Sequence, residues 1–134
     1  MRLDYSVVDL HTHLRNDIPK HTKIAKESGI GTVVYMANSN PPLDSLTAVK
    51  ASLKEKRFCK SSPASAITKN LEGKELVDID ELRPHVVGFS DDGFYLEDLN
   101  LLKKALEKNV EQRCTAKELA LDLADALEID LSKP

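Results

Sequence analysis

The sequence predicts an α/β protein built on a parallel sheet, a partial (β/α)8 TIM barrel of about four βα units and a C-terminal helix. Three observations carry that expectation. Short, near-continuous apolar runs alternate with stretches of helical periodicity. The βα unit recurs at roughly 25–30 residues, the scale of a βαβ repeat. The chain has 134 residues, about half of the roughly 250 that a complete barrel takes.

The first strand is read over residues 6–13, Ser6-Val7-Val8-Asp9-Leu10-His11-Thr12-His13. A helix follows from about Pro19 to Ser28. Pro19 suits its first turn, and Gly29 suits a left-handed residue just past its end. The second strand covers 31–38, and its apolar character fits a parallel strand covered on both faces. Ser39-Asn40-Pro41-Pro42 breaks the chain. The next helix spans about 44–56, with Leu46, Val49 and Leu53 on one face. A third strand is placed within 58–67, although Pro63 and its neighbouring serines weaken the strand signal. A loop and a short helix lead through 70–82.

The fourth strand is read over 85–90 and ends in the turn Asp91-Asp92-Gly93. A helix then runs from about Glu97 to Lys108. Glu97 and Asp98 favour its N-terminal end, and Leu99, Leu102 and Leu106 form its apolar stripe. The alternation predicts a fifth strand at about 109–114, and none is read there. Instead Thr115-Ala116-Lys117-Glu118, a capping-box pattern, opens a helix to about Glu128. The expected organisation is therefore a barrel unit over 1–110 and a helical segment over 111–134.

The composition is 41% hydrophobic and 31% charged with a net charge of -3, ordinary for a soluble globular protein. No apolar run is long enough for a bilayer span, and the N-terminus has no signal-peptide h-region. A cytoplasmic location is expected. Acidic and basic residues are interspersed, so no basic stripe points to nucleic acid. The lysine clusters at 54–60 and 103–104 read as solvated helix faces or ends. Cys59 and Cys114 lie far apart in no metal spacing, and both read as free thiols of a reducing compartment. With 4% aromatic residues and no Trp, a base-stacking platform is not expected.

Three groups of residues carry chemistry. In Asp9-Leu10-His11-Thr12-His13-Leu14-Arg15, strand alternation points Asp9, His11, His13 and Arg15 one way and Leu10 and Leu14 the other. Two histidines at i and i+2 at a strand's C-terminal end can share one cation, as zinc sites do. Alone, the pair also reads as a hydrogen-bonded surface feature. Phe89-Ser90-Asp91-Asp92-Gly93 puts a carboxylate at the same end of another strand, where a plain turn with a helix cap is the simpler alternative. Asn38 ends the second strand and offers an amide to a polar substrate, although Asn is also a common turn residue and Asp44 a common cap. Together these groups set imidazoles, a guanidinium, an amide and a carboxylate at the C-terminal ends of three strands. That is the end at which barrel enzymes work. The set suits metal-assisted hydrolysis of an amide, with Arg15 suited to bidentate carboxylate binding.

The same residues resemble a known family. Residues 9–15 are similar to the metal-binding signature of dihydroorotases, and Met36-Ala37-Asn38-Ser39-Asn40-Pro41-Pro42-Leu43-Asp44-Ser45 to their substrate-binding loop. The run from Ala66 to Leu76 is similar to the segment after their third strand. Gly88-Phe89-Ser90-Asp91-Asp92-Gly93 resembles the motif in which some members use an aspartate in place of a carboxylated lysine. The four motifs occur in family order across about residues 6–110.

The resemblance implies reversible hydrolysis of dihydroorotate to carbamoyl aspartate, a step of pyrimidine biosynthesis. It implies one or two zinc ions held by His11, His13 and Asp92, and a substrate carboxylate held by Arg15 and Asn38. Members have further metal-binding histidines and a late general-base aspartate; no histidine follows Leu106 here, and no general base is assigned. His21, on the first helix, is expected to face solvent. His85, before the fourth strand, is expected at the opposite end of the barrel. The break near Val110-Glu111 reads as an internal deletion or the edge of a fragment. A homo-oligomer or a larger parent chain is therefore expected to complete the barrel. A non-catalytic metal-binding or interaction module, and another cyclic amidohydrolase such as a hydantoinase or allantoinase, are the alternative readings.

Overall fold

In the structure, a computed structural model, residues 7–94 and 96–111 are described. The helix expected from Thr115 to Glu128 lies outside them. Four strands form one sheet in the order β1-β2-β3-β4, and every pair is parallel. The strands are β1 (Val7–Thr12), β2 (Ile30–Tyr35), β3 (Lys60–Ser65) and β4 (Gly88–Phe89). Between them run α1 (Ile18–Glu27), α2 (Leu46–Lys54) and the one-turn α3 (Ile79–Leu82), and α4 (Leu99–Glu111) follows β4. The fold is the expected partial barrel, a curled half of a (β/α)8 sheet.

Local chemistry sets the helix ends. Asp17 caps α1 by accepting the backbone N–H of Lys20, and Pro19 sits in its first turn, where its missing donor costs nothing. Gly29 leaves the helix with φ at 85°, a left-handed conformation that glycine adopts freely. Ser45 and Asp78 cap α2 and α3 in the same way, as side-chain oxygens at N-caps do.

The core lies between the sheet and the helices. Leu14, Ile18, Val33, Tyr35, Val49, Ile79, Leu82 and Ala105 belong to one buried cluster. The Tyr35 hydroxyl meets the Ser52 hydroxyl at 3.0 Å and receives Arg57 Nη2 at 3.3 Å. Those bonds give the phenol partners where β2 meets α2, as a buried tyrosine oxygen requires.

Two elements depart from the sequence reading. β4 is only two residues long, because residues 83–85 continue α3 as a 3-10 turn through Arg83, Pro84 and His85. β1 is irregular. Asp9 pairs with Val33 but Thr12 pairs with Tyr35, so three β1 residues oppose two of β2. A bulge of that kind exchanges the faces of the residues beyond it. Leu10 therefore stands 70% exposed while Leu14 is buried, although simple alternation puts them on one face. No helix among the described residues is long and apolar enough to cross a membrane.

Leu82 is fully buried at the junction of α3 with the core. Leu82→Ala is expected to lower stability by about 2–5 kcal/mol, the cost of a large core cavity. Urea titration will show this as a lower midpoint with an unchanged slope.

Candidate metal centre

All the chemistry-bearing side chains sit at the C-terminal ends of the strands, because the strands are parallel. β1 and β2 are tied together there. The Thr12 hydroxyl donates to the Val34 carbonyl at 2.9 Å, and Met36 N–H donates to the Thr12 carbonyl at 2.9 Å. The β1 bulge places Leu14 in the core with Ala37. It thereby leaves His13 on the face of Asn38, and these two side chains meet at 3.1 Å. Asp9, read on the histidines' face, instead accepts the backbone N–H of His11 at 3.0 Å.

His11, His13 and Asp92 converge. Each offers one ligand atom, and these atoms all lie within 4.8 Å of one another. His11 Nε2 is 3.0 Å from Asp92 Oδ1, and His13 Nδ1 is 3.8 Å from Asp92 Oδ2. The two imidazole rings stand edge to face with centroids 5.1 Å apart. The Asp92 side chain is 15% exposed and that of His11 is 59% exposed, so the carboxylate is sheltered and the cluster opens toward solvent on the histidine side.

The hydrogen bonds fix the donor directions. An ionised Asp92 offers only acceptors, so His11 Nε2 and Asn38 Nδ2 both donate to it, the latter at 2.9 Å. The Asn38 side-chain oxygen then faces His13 and accepts a hydrogen bond from Nδ1–H. Asn38 thus braces both a histidine and the carboxylate, a role the sequence reading of a substrate amide did not contain.

Tetrahedral zinc with bonds of about 2.0–2.2 Å needs ligand atoms roughly 3.4 Å apart. The cluster comes within small side-chain adjustments of that spacing. Two imidazoles, one carboxylate and an open side also match the donor set of hydrolytic zinc sites. The residues present therefore fit such an ion.

Arg15 stands apart from this cluster. It has a positive φ of 49° and lines a groove of about 130 Å³ with Asn16, Ser39, Asn40 and Pro41. The groove's wall is closed by Asn16, whose side chain donates to the Asn40 carbonyl at 2.5 Å and accepts Asn40 N–H at 3.1 Å. His21 differs from the expectation of a solvent-facing side chain. It is half-buried, and its Nδ1 bonds the Leu14 carbonyl at 2.9 Å, bracing the loop that follows the histidine pair. His85 closes the 3-10 turn before β4, ahead of that strand's N-terminal end, whereas the cluster lies past its C-terminal end.

Fold and site together define a portion of a barrel with a histidine–carboxylate cluster on its C-terminal rim. Comparison with known proteins gives the particular relationship: the chain is similar to part of a dihydroorotase. It is 41% identical to the dihydroorotase of Clostridioides difficile over 130 residues, covering 88% of this chain and 29% of that protein. The dihydroorotase of Aquifex aeolicus is 34% identical over 134 residues, covering 92% of this chain and 30% of that protein. That of Streptococcus pneumoniae is 38% identical over 114 residues. The chain spans about three-tenths of the length of these two longer matches. No family model matches it.

Asn38→Ala removes the acceptor that holds His13 Nδ1–H. Imidazole 15N spectra of the metal-free protein are expected to show His13 as a single Nδ1–H tautomer in the wild type and as a mixture in the variant. A single unchanged tautomer in both would remove Asn38 from this role.

Proposed function

We propose that this chain supplies the first part of a dihydroorotase-type active site, one that hydrolyses a cyclic amide and binds zinc through His11, His13 and Asp92. The observation that carries the reading is the convergence of these three ligand atoms at one end of the sheet. Similarity to several dihydroorotases supports the choice of substrate.

Zinc held by His11, His13 and Asp92 would supply a Lewis acid for the substrate carbonyl and a lower pKa for its water. The remaining work falls to side chains of the chain itself. Asn38 keeps His13 and Asp92 turned toward the ion, as partners behind metal ligands do. Arg15 receives the substrate carboxylate by bidentate pairing, from the groove beside the Asn38–Pro42 loop. Asn38, with one amide N–H on Asp92, has a second to offer the substrate. A cytoplasmic location belongs with this chemistry.

We further propose that the barrel unit over 1–110 works with additional strands, from a second copy or from a larger parent chain. Support comes from β1 and β4, which have no outer strand partner among the described residues. Val7, Val8 and Leu10 of β1 and Val87 beside β4 are exposed. An open apolar edge of this kind invites pairing.

A second reading is a non-catalytic module that binds metal, which the same three ligand atoms would serve without a substrate. Metal analysis beside assays on dihydroorotate, hydantoin and allantoin separates the cases. Zinc with dihydroorotate turnover is the expected result for the assembled protein. Zinc without turnover selects the non-catalytic module, and turnover of the other rings alone selects a different amidohydrolase. Asp92→Asn is expected to lower zinc content sharply, and full zinc retention in that variant would overturn its assignment as ligand.

A further inference from the structure

Asp91 and Asp92 are adjacent carboxylates with opposite surroundings. Asp92 faces the histidines. Asp91 is 4% exposed and turns to the loop after β3. Its Oδ1 accepts Ile67 N–H at 2.7 Å and Thr68 N–H at 3.0 Å, and its Oδ2 accepts the Thr68 hydroxyl at 2.6 Å. Thr68 is itself fully buried, and its hydroxyl oxygen accepts Gly73 N–H at 2.9 Å. The carboxylate is thus held by three donors from one dipeptide, whose own position is locked by the loop it starts.

That anchorage bears on Asp92. Ser90 N–H donates to the Ser65 carbonyl at 2.8 Å, and Asp92 N–H donates to the Ser90 hydroxyl at 3.0 Å. Asp92 itself has φ at 57°, a left-handed conformation in which aspartate is tolerated but not favoured. Left to itself, this residue would relax toward an ordinary conformation and withdraw its carboxylate. The Asp91 clamp fixes the chain on one side of it, and the Phe94 N–H bond to the Asp91 carbonyl at 3.1 Å closes the turn on the other.

We propose that Asp91 and Thr68 form a positioning clamp that holds Asp92 in its left-handed conformation and so presents its carboxylate to His11 and His13. The inference rests on the reading of these three residues as a metal centre, and it adds residues that touch neither ion nor substrate. Charge-assisted bonds from several buried donors are strong enough for such a task, and loss of a partner behind a metal ligand commonly weakens binding by about 10–100-fold.

The test measures zinc affinity by competition, together with the imidazole 15N shifts of His11 in the metal-free protein. Thr68→Val, which deletes one hydroxyl, and Asp91→Asn are expected to weaken zinc binding by about 10-fold or more and to move the His11 signal away from its carboxylate-bonded position. Thr68→Ser, which keeps the hydroxyl, is expected to restore both. If Asp91→Asn fails to fold, the Thr68 pair decides alone. A folded Thr68→Val protein with wild-type zinc affinity and an unmoved His11 signal would overturn the clamp. Failure of the metal-centre reading looks different. Wild type and Asp92→Asn would then bind zinc equally, or neither would, while the metal-free His11 signal would still judge the clamp.

Discussion

The Asp92 carboxylate is the point on which the rim of this half-barrel closes. It receives His11 across 81 residues of chain and Asn38 across 54. Neither contact is local, so each depends on the sheet bringing the ends of β1, β2 and β4 together. Loop closure over such spans has an entropic cost that grows slowly with length. The parallel ladder and the helix caps help to offset it. The carboxylate, just past β4, thereby reaches the ends of β1 and β2, neither of which neighbours β4 in the sheet order β1-β2-β3-β4. It spans the concave side, where a ligand between the strand ends would sit.

Much of this was legible in the sequence because it follows from local chemistry. Pro19 and Gly29 bracket α1 as turn and cap residues do, and the apolar run of 31–38 marked β2. The i, i+2 histidines pointed to one cation for the correct reason, that strand neighbours two apart share a face. Where that rule failed, at Asp9 and Leu10, the cause is the β1 bulge, an irregularity of pairing that no single strand reveals. His21 was misjudged for a related reason. Its partner is the backbone carbonyl of Leu14, and a helix periodicity says nothing of a loop folded beside it.

β3 shows how a weak sequence signal can conceal a well-buried strand. Its residues are small and polar, yet Pro63, Ala64 and Ser65 are all buried. Ser65 satisfies its hydroxyl on the Leu43 carbonyl at 2.6 Å, so burial leaves it no unmet donor. Pro63 is tolerated because of where it falls. Its carbonyl accepts Val87 N–H at 3.0 Å, and its nitrogen faces the same side, just before β4 begins its ladder at Ala64 and Gly88. The missing donor therefore costs no sheet bond. Small side chains here also let the segment through Leu43 lie directly against the strand end, with Ala66 N–H bonded to the Leu43 carbonyl at 2.9 Å.

That close approach links the scaffold to the chemistry. The chain beyond β2 must pass Asn38, cross the Leu43 contact and enter α2, while the chain beyond β3 must present Ile67 and Thr68 to Asp91. Both loops are pinned by backbone bonds to the same strand end, so the rim behaves as one cross-braced unit rather than as four independent loops. A side chain that looks like ordinary turn chemistry in the sequence, the first carboxylate of Asp91-Asp92-Gly93, is then the member that transmits the β3 loop's position to Asp92. The division of labour between the two aspartates follows from burial alone. The buried one must spend its acceptors on backbone and hydroxyl donors to remain satisfied, which leaves the more exposed one to face the histidines.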